Sequence, residues 1–157
     1  MRELLPKGFP MANLSDVLSD PLKKDQIVDE CCALLDAEVS DRGGISGFAI
    51  KAGYGAVKGI RPGFVRHVVS DLLPEFATGI NPLIDEAIVK TTPVGKYLEQ
   101  NSSRVADALL AITDAKAARA KNVVVKGAYD KLRGMAKKNV EAAVPRLGKL
   151  VEKHTHS

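Results

Sequence analysis

The chain reads as all-α, a single-domain bundle of about six to eight helices built around a Gly/Ala-rich central helix. Three observations lead there. Apolar residues recur at three- and four-residue spacing through most of the length, and the strong punctuation is of the helix-start and helix-stop kind, as at Asp20-Pro21, Gly43-Gly44 and Pro62-Gly63. No run alternates long enough for a strand, and Val123-Val124-Val125 is the only β-prone cluster.

Residues 1–13 hold Pro6, Pro10 and scattered apolar residues with no periodicity, so they read as a flexible N-terminal arm, within which Met11 offers a second start. Ser19-Asp20-Pro21 opens the first strong helix, because a Ser or Asp oxygen accepts an orphan amide and Pro has no N–H to lose in the first turn. That helix places Ile27, Val28, Cys31, Cys32, Leu34, Leu35 and Val39 on one side and Asp25, Asp29, Glu30 and Asp36 on the other. Asp41-Arg42-Gly43-Gly44 ends it. The second, about 45–60, mixes Gly47, Gly53, Gly55 and Gly59 with Ala49, Ala52 and Ala56. Each interior Gly costs about 1 kcal/mol relative to Ala, so this helix is expected to be the most buried, with small residues admitting a close neighbour. Arg61-Pro62-Gly63 breaks the chain before a valine-rich segment, 64–73, which Pro74 interrupts or kinks. Asn81-Pro82 repeats the cap-plus-Pro signature, with Asp85 and Glu86 as helix-dipole partners in the first turn. Thr92-Pro93 starts a short helix and Ser102-Ser103 caps the next. Asn122 is a junction or is bridged, and the pattern then runs on to a break at Pro145 and a last stripe of Val144, Leu147 and Val151. The domain is placed at 14–153, with 154–157 as a tail.

The 157 residues suffice for one core without staples, and 45% apolar with 27% charged residues is an ordinary globular composition. Aromatic content is low, at 4% with no Trp, so the core must be built from Ala, Val, Leu and Ile. The two cysteines, Cys31 and Cys32, are adjacent and cannot staple a fold, which sets aside the disulfide-rich secreted class and points to the cytoplasm. No signal peptide and no transmembrane segment is expected, since Lys51 and Lys58 interrupt the one glycine-rich window with membrane-like small-xxx-small spacing.

Charge is uneven. Residues 1–92 hold 10 Lys+Arg against 13 Asp+Glu, and residues 93–157 hold 13 against 6, so the halves differ in sign. Lys116, Arg119, Lys126, Lys131, Arg133, Lys137 and Lys138 lie in one basic amphipathic stretch, with Arg119, Lys126, Arg133 and Lys137 along a line when projected on a helix. Such a face can neutralise the phosphates of a nucleic acid or an anionic lipid surface in a salt-dependent way. An ordinary solvated helix face explains the same residues. Pairing of acidic and basic halves between copies would give a homo-oligomer instead.

Other candidates are thinner. Small side chains beside the valine-rich segment can line an apolar cavity, for which Gly53, Tyr54, Val57, Arg66 and His67 are the candidate contacts. Gly53-x-Gly55-x-x-x-Gly59 is not a phosphate loop, lacking both a preceding strand and a Gly-Lys-Ser/Thr. His67 and Asp71, four apart, read as a helix-surface ion pair, His154 and His156 as tail residues, and Cys31-Cys32 as packing. No metal cluster, no cofactor motif and no catalytic constellation is recognised, so the expectation is a non-enzymatic protein.

The runs Ala37 to Gly47, Lys51 to Tyr54, Leu72 to Phe76, Ala108 to Ala115 and Ala142 to Leu147 resemble a family of small all-helical bacterial proteins of unknown function. The resemblance implies a bacterial cytoplasmic protein with the whole domain as its unit, and transfers no functional residue. The leading expectation is a helical protein binding an anionic macromolecule or surface through its basic face. A carrier or sensor of a small apolar ligand is the alternative, and a homo-oligomeric structural protein a further one.

Overall fold

The computed structural model describes residues 14–155, so the arm expected at 1–13 and the last two residues of the expected tail lie outside it. Seven helices and no strand occur among the described residues: α1 Leu14–Leu18, α2 Pro21–Asp41, α3 Gly44–Lys58, α4 Phe64–Val89, α5 Val94–Gln100, α6 Ser102–Ala118 and α7 Val123–Thr155.

Several boundaries fall as expected, whereas the expected cap by Ser102-Ser103 does not form: both lie inside α6, whose N-cap is Asn101 with no side-chain cap hydrogen bond. Asp20 is the N-cap of α2, its Oδ1 accepting the Leu22 N–H at 3.0 Å, with Pro21 in the first turn. Gly63 turns left-handed (φ 76°) before α4, a conformation that only glycine adopts cheaply. Asn122 separates α6 from α7, its Oδ1 taking the N–H groups of Val124 (2.8 Å) and Val125 (3.2 Å).

Three further expectations are corrected. Asn81-Pro82 does not start a helix: α4 runs unbroken through Pro74 and Pro82. Its buried face (Leu72, Leu73, Ala77, Ile80, Leu83, Ile84, Ala87) keeps one helical stripe across both prolines, and that burial outweighs about 3 kcal/mol for each misplaced ring. Asp85 and Glu86 therefore sit late in α4 and are not first-turn dipole partners. Pro145 likewise breaks nothing, because α7 continues to Thr155 and buries Val144, Gly148 and Val151 on either side of it. His154 is thus the penultimate residue of a packed helix, with Nε2 2.7 Å from Glu30 Oε1.

The third correction concerns α3. It lies at the periphery, with Gly47 its only buried residue, whereas α4 buries eight. The tight glycine contact of the fold is elsewhere, between α5 and α7. A Cβ on Gly95 would come within 3.1 Å of the Gly148 carbonyl oxygen, and one on Gly148 within 3.0 Å of that of Gly95.

At about 50 Å, α7 is the longest helix and packs against α1, α2, α3, α5 and α6. The core divides in two. One cluster joins Leu83, Ile84, Tyr97, Leu98, Val105 and Val144, from α4 to α7. The other joins Val17, Ile27, Val28, Val69 and Leu73, from α1, α2 and α4. The interior between them is where the candidate site lies.

Candidate functional site

A cavity of about 490 Å³ runs through the bundle between the two clusters. Its walls come from Leu34 and Leu35 of α2, Leu73 and Phe76 of α4, Leu109 and Leu110 of α6, and Leu132, Met135 and Val140 of α7, while α3 contributes Ile50. The sequence leaves this space open for a simple reason. Four Phe, three Tyr and no Trp are too few bulky groups for a bundle this wide, and Ala77, Ala136 and Ala143 face inward where larger residues would fill it.

The polar lining is confined to Glu38, Arg42, Thr113, Tyr129 and Asn139. Arg42 ties α2 to α7, donating from Nη2 to Glu38 Oε1 (2.9 Å) and to the Asn139 carbonyl (2.9 Å), and from Nε to Asn139 Oδ1 (2.6 Å). Arg146 donates to the other Glu38 oxygen at 2.7 Å, so this largely buried carboxylate holds two guanidinium groups. Tyr129 and Thr113 form the second polar group. Their hydroxyls lie 2.7 Å apart, and Tyr129 donates to Asp114 Oδ1 at 2.5 Å. Burial first, and then that carboxylate, push the Tyr129 hydroxyl pKa up. Cys31 also lines the cavity, its thiol pushed up to about 12 by burial and then by Cys32 and Glu30, so it is a protonated apolar surface.

The residues expected to line an apolar site are not brought into it. Tyr54 donates instead to Asp36 (2.7 Å), and Val57 does not reach the cavity wall. Gly53 touches the site only from behind, where an added Cβ would stand 2.8 Å from Leu132 Cδ1. Arg66 pairs with Asp25 and Asp29 of α2, and exposed His67 with Asp71 at 3.3 Å, the surface ion pair its spacing implies. Both belong to a polar depression between α2 and α4.

The basic stretch is divided by the fold. Arg133 donates to both oxygens of Asp114 (2.8 and 3.1 Å), Lys137 lies 3.0 Å from Asp107, and Lys116 lies 3.8 Å from Asp71. Arg133 and then Tyr129 hold the Asp114 carboxyl below its usual range. Part of the projected line therefore faces the acids of α6. Arg119 caps the end of α6, on the other side of the Asn122 junction. Exposed Arg119, Lys126, Lys131 and Lys138 remain without an acidic partner among the described residues.

Among the described residues no group of three His, Cys, Asp or Glu could hold a metal ion, and no helix is long and apolar enough to cross a membrane. No curated protein and no solved structure matches this chain. Residues 14–155, the same span that forms the seven helices, match the family of unknown function DUF6918, and the chain belongs to that family.

Proposed function

We propose that the protein is a bacterial, cytoplasmic, non-enzymatic carrier or sensor that holds one small apolar ligand inside the helical bundle. The cavity carries this reading. Its volume falls within the roughly 300–1,000 Å³ of small-molecule sites, and its walls are aliphatic with a few fixed polar groups at the margins, as such sites require. Glu38 and Arg42 are engaged with each other and the Cys31 thiol is protonated, which favours a neutral occupant over a charged or reactive one. A long-chain alcohol or an acyl chain fits that description, its hydroxyl or carbonyl meeting Thr113, Tyr129 or Asn139.

Native mass spectrometry of freshly purified protein and a thermal melt with 1-dodecanol test it. A ligand at a hundredfold its Kd adds about 2.7 kcal/mol, a rise of roughly 5–10 °C for a domain of this size. Ala136→Phe fills the cavity from α7 and is expected to remove that rise while leaving the helical spectrum intact. No co-purified molecule and no rise with dodecanol would overturn the proposal.

A second reading rests on Lys126, Lys131 and Lys138, which are exposed and without acidic partners among the described residues: salt-dependent contact with a nucleic acid or another polyanion. Reversing all three to Glu should abolish a gel shift at low salt. No shift in the native protein at low salt rejects this reading.

A further inference from the structure

Among the described residues, the outward face of α3 carries two large and strongly exposed apolar side chains near one another: Ile45 is 92% and Phe48 76% exposed. They are continued along the helix by exposed Ala52, Gly55, Ala56 and Gly59, which fall within about 100° of arc when stepped at 100° per residue. The opposite face does the packing, with Ile50 on the cavity and Gly53 against Leu132. A peripheral helix thus spends its best hydrophobic residues on solvent. Bare apolar surface of this kind marks a contact.

The charge around that face identifies the contact. From Arg42 to Ser70 the chain has five cations (Arg42, Lys51, Lys58, Arg61, Arg66) and no acid. Arg42 and Arg66 are committed inward or to α2, and Lys58 shares Asp36 at 3.3 Å, but among the described residues exposed Lys51 and Arg61 have no acidic partner, Arg61 lying over the Phe64 ring. Arg42 meets Asn139, and Gly53 abuts Leu132, so α3 runs antiparallel to the first half of α7. That register carries the first turn of α7, with Val123 81% exposed and Lys126 also exposed, past the C-terminal end of α3 toward residues 59–62.

We infer that the outer face of α3 is a docking surface for an anionic lipid bilayer, with Ile45 and Phe48 entering the headgroup boundary and Lys51, Arg61 and Lys126 meeting lipid phosphates. An apolar strip flanked by cations is the composition of an interfacial helix. A second copy of the chain fits less well, because two such faces bring Lys51 and Arg61 to the same cations, while Asp36 beside α3 is already held by Lys58 and Tyr54. A nucleic acid would leave Ile45 and Phe48 unused at the centre of the contact. The inference stands apart from the cavity reading, since a filled or empty cavity leaves this face unchanged.

Co-sedimentation with vesicles of phosphatidylcholine alone and of phosphatidylcholine with phosphatidylglycerol tests it at low and high salt. The expected result is binding only to the anionic vesicles, weakened by salt. Ile45→Ser with Phe48→Ser, two exposed positions whose change leaves the core intact, should weaken it by about tenfold or more. Lys51→Glu with Arg61→Glu should do the same, each cation near the surface contributing about 1 kcal/mol, or fivefold. Lys131→Glu with Lys138→Glu, farther along α7, should change it little. Three outcomes overturn the inference: no binding to anionic vesicles, binding lost only with the Lys131 and Lys138 pair, or light scattering that shows a dimer dispersed by Phe48→Ser.

Discussion

An added methyl group sorts the glycines of this chain into different kinds. At Gly47 it would fall 2.7 Å from the Arg42 carbonyl carbon, an atom of the backbone that cannot turn aside. At Gly134 it would meet nothing within 4 Å. Urea denaturation should therefore find Gly47→Ala destabilising by about 1–3 kcal/mol and Gly134→Ala stabilising by about 0.5–1 kcal/mol. Equal effects at the two positions would contradict the packing described for α3. Gly53 is intermediate, because the atom it would meet is the end of the Leu132 side chain, which can swing toward the cavity. Glu30 is the residue with a clear pH signature. Burial disfavours its charge, yet hydrogen bonds from His154, Lys153 and Gln26 outweigh that and bring its pKa down from 4.5 to about 2. A carboxyl lowered on folding contributes stability above its unfolded pKa, and that stability is lost as the pH falls through the folded value. Glu30→Gln should accordingly cost about 1 kcal/mol at neutral pH, shrinking between pH 4.5 and 2 until the variant and the native chain melt together. Only the Gln26 contact, four residues away on α2, has a spacing legible in the sequence; Lys153 and His154 lie more than a hundred residues from Glu30.

Among elements, boundaries set by a local side chain were readable and boundaries set by packing were not. Asp20, Gly63 and Asn122 each act within three residues of themselves; the first two fall where the sequence places them, and Asn122, which the sequence left open, is a junction. Pro74, Pro82 and Pro145 are also local signals, but their cost competes with a buried stripe that only the assembled bundle provides. The glycines of α3 misled for the same reason: small residues at helical spacing indicate where a neighbour can approach, and Gly95 with Gly148 is where one does. The joint between α2 and α7 makes its own prediction. Glu38 is the shared partner of Arg42 and Arg146, and removing it leaves the mostly buried Arg42 guanidinium without its carboxylate. Glu38→Ala should cost about 2–3 kcal/mol by chemical denaturation, and a loss below about 0.5 kcal/mol would show that the joint is not stabilising.

For the molecule as a whole, the all-helical class followed from periodicity, whereas the scarcity of aromatic residues suggested close helix packing and instead accompanies a core that leaves a cavity. What could not be read was where the unfilled space would lie, since Leu35, Leu110 and Val140 converge only in three dimensions. The opposite signs of the two halves were also real in the sequence, but folding sets Arg146 on Glu38 and Asp41, Lys153 on Glu30 and Lys116 on Asp71, so much of that asymmetry is internal. The adjacent cysteines have a consequence of a different kind. Successive helical residues diverge by about 100°, so Cys31 faces the cavity while Cys32 lies outside its lining. Both thiols are half-buried and pack against the second core cluster, and of the two Cys31 also faces the cavity. Alkylation of the pair in one molecule therefore gives an internal comparison, in which an occupant of the interior is expected to slow Cys31 more than Cys32.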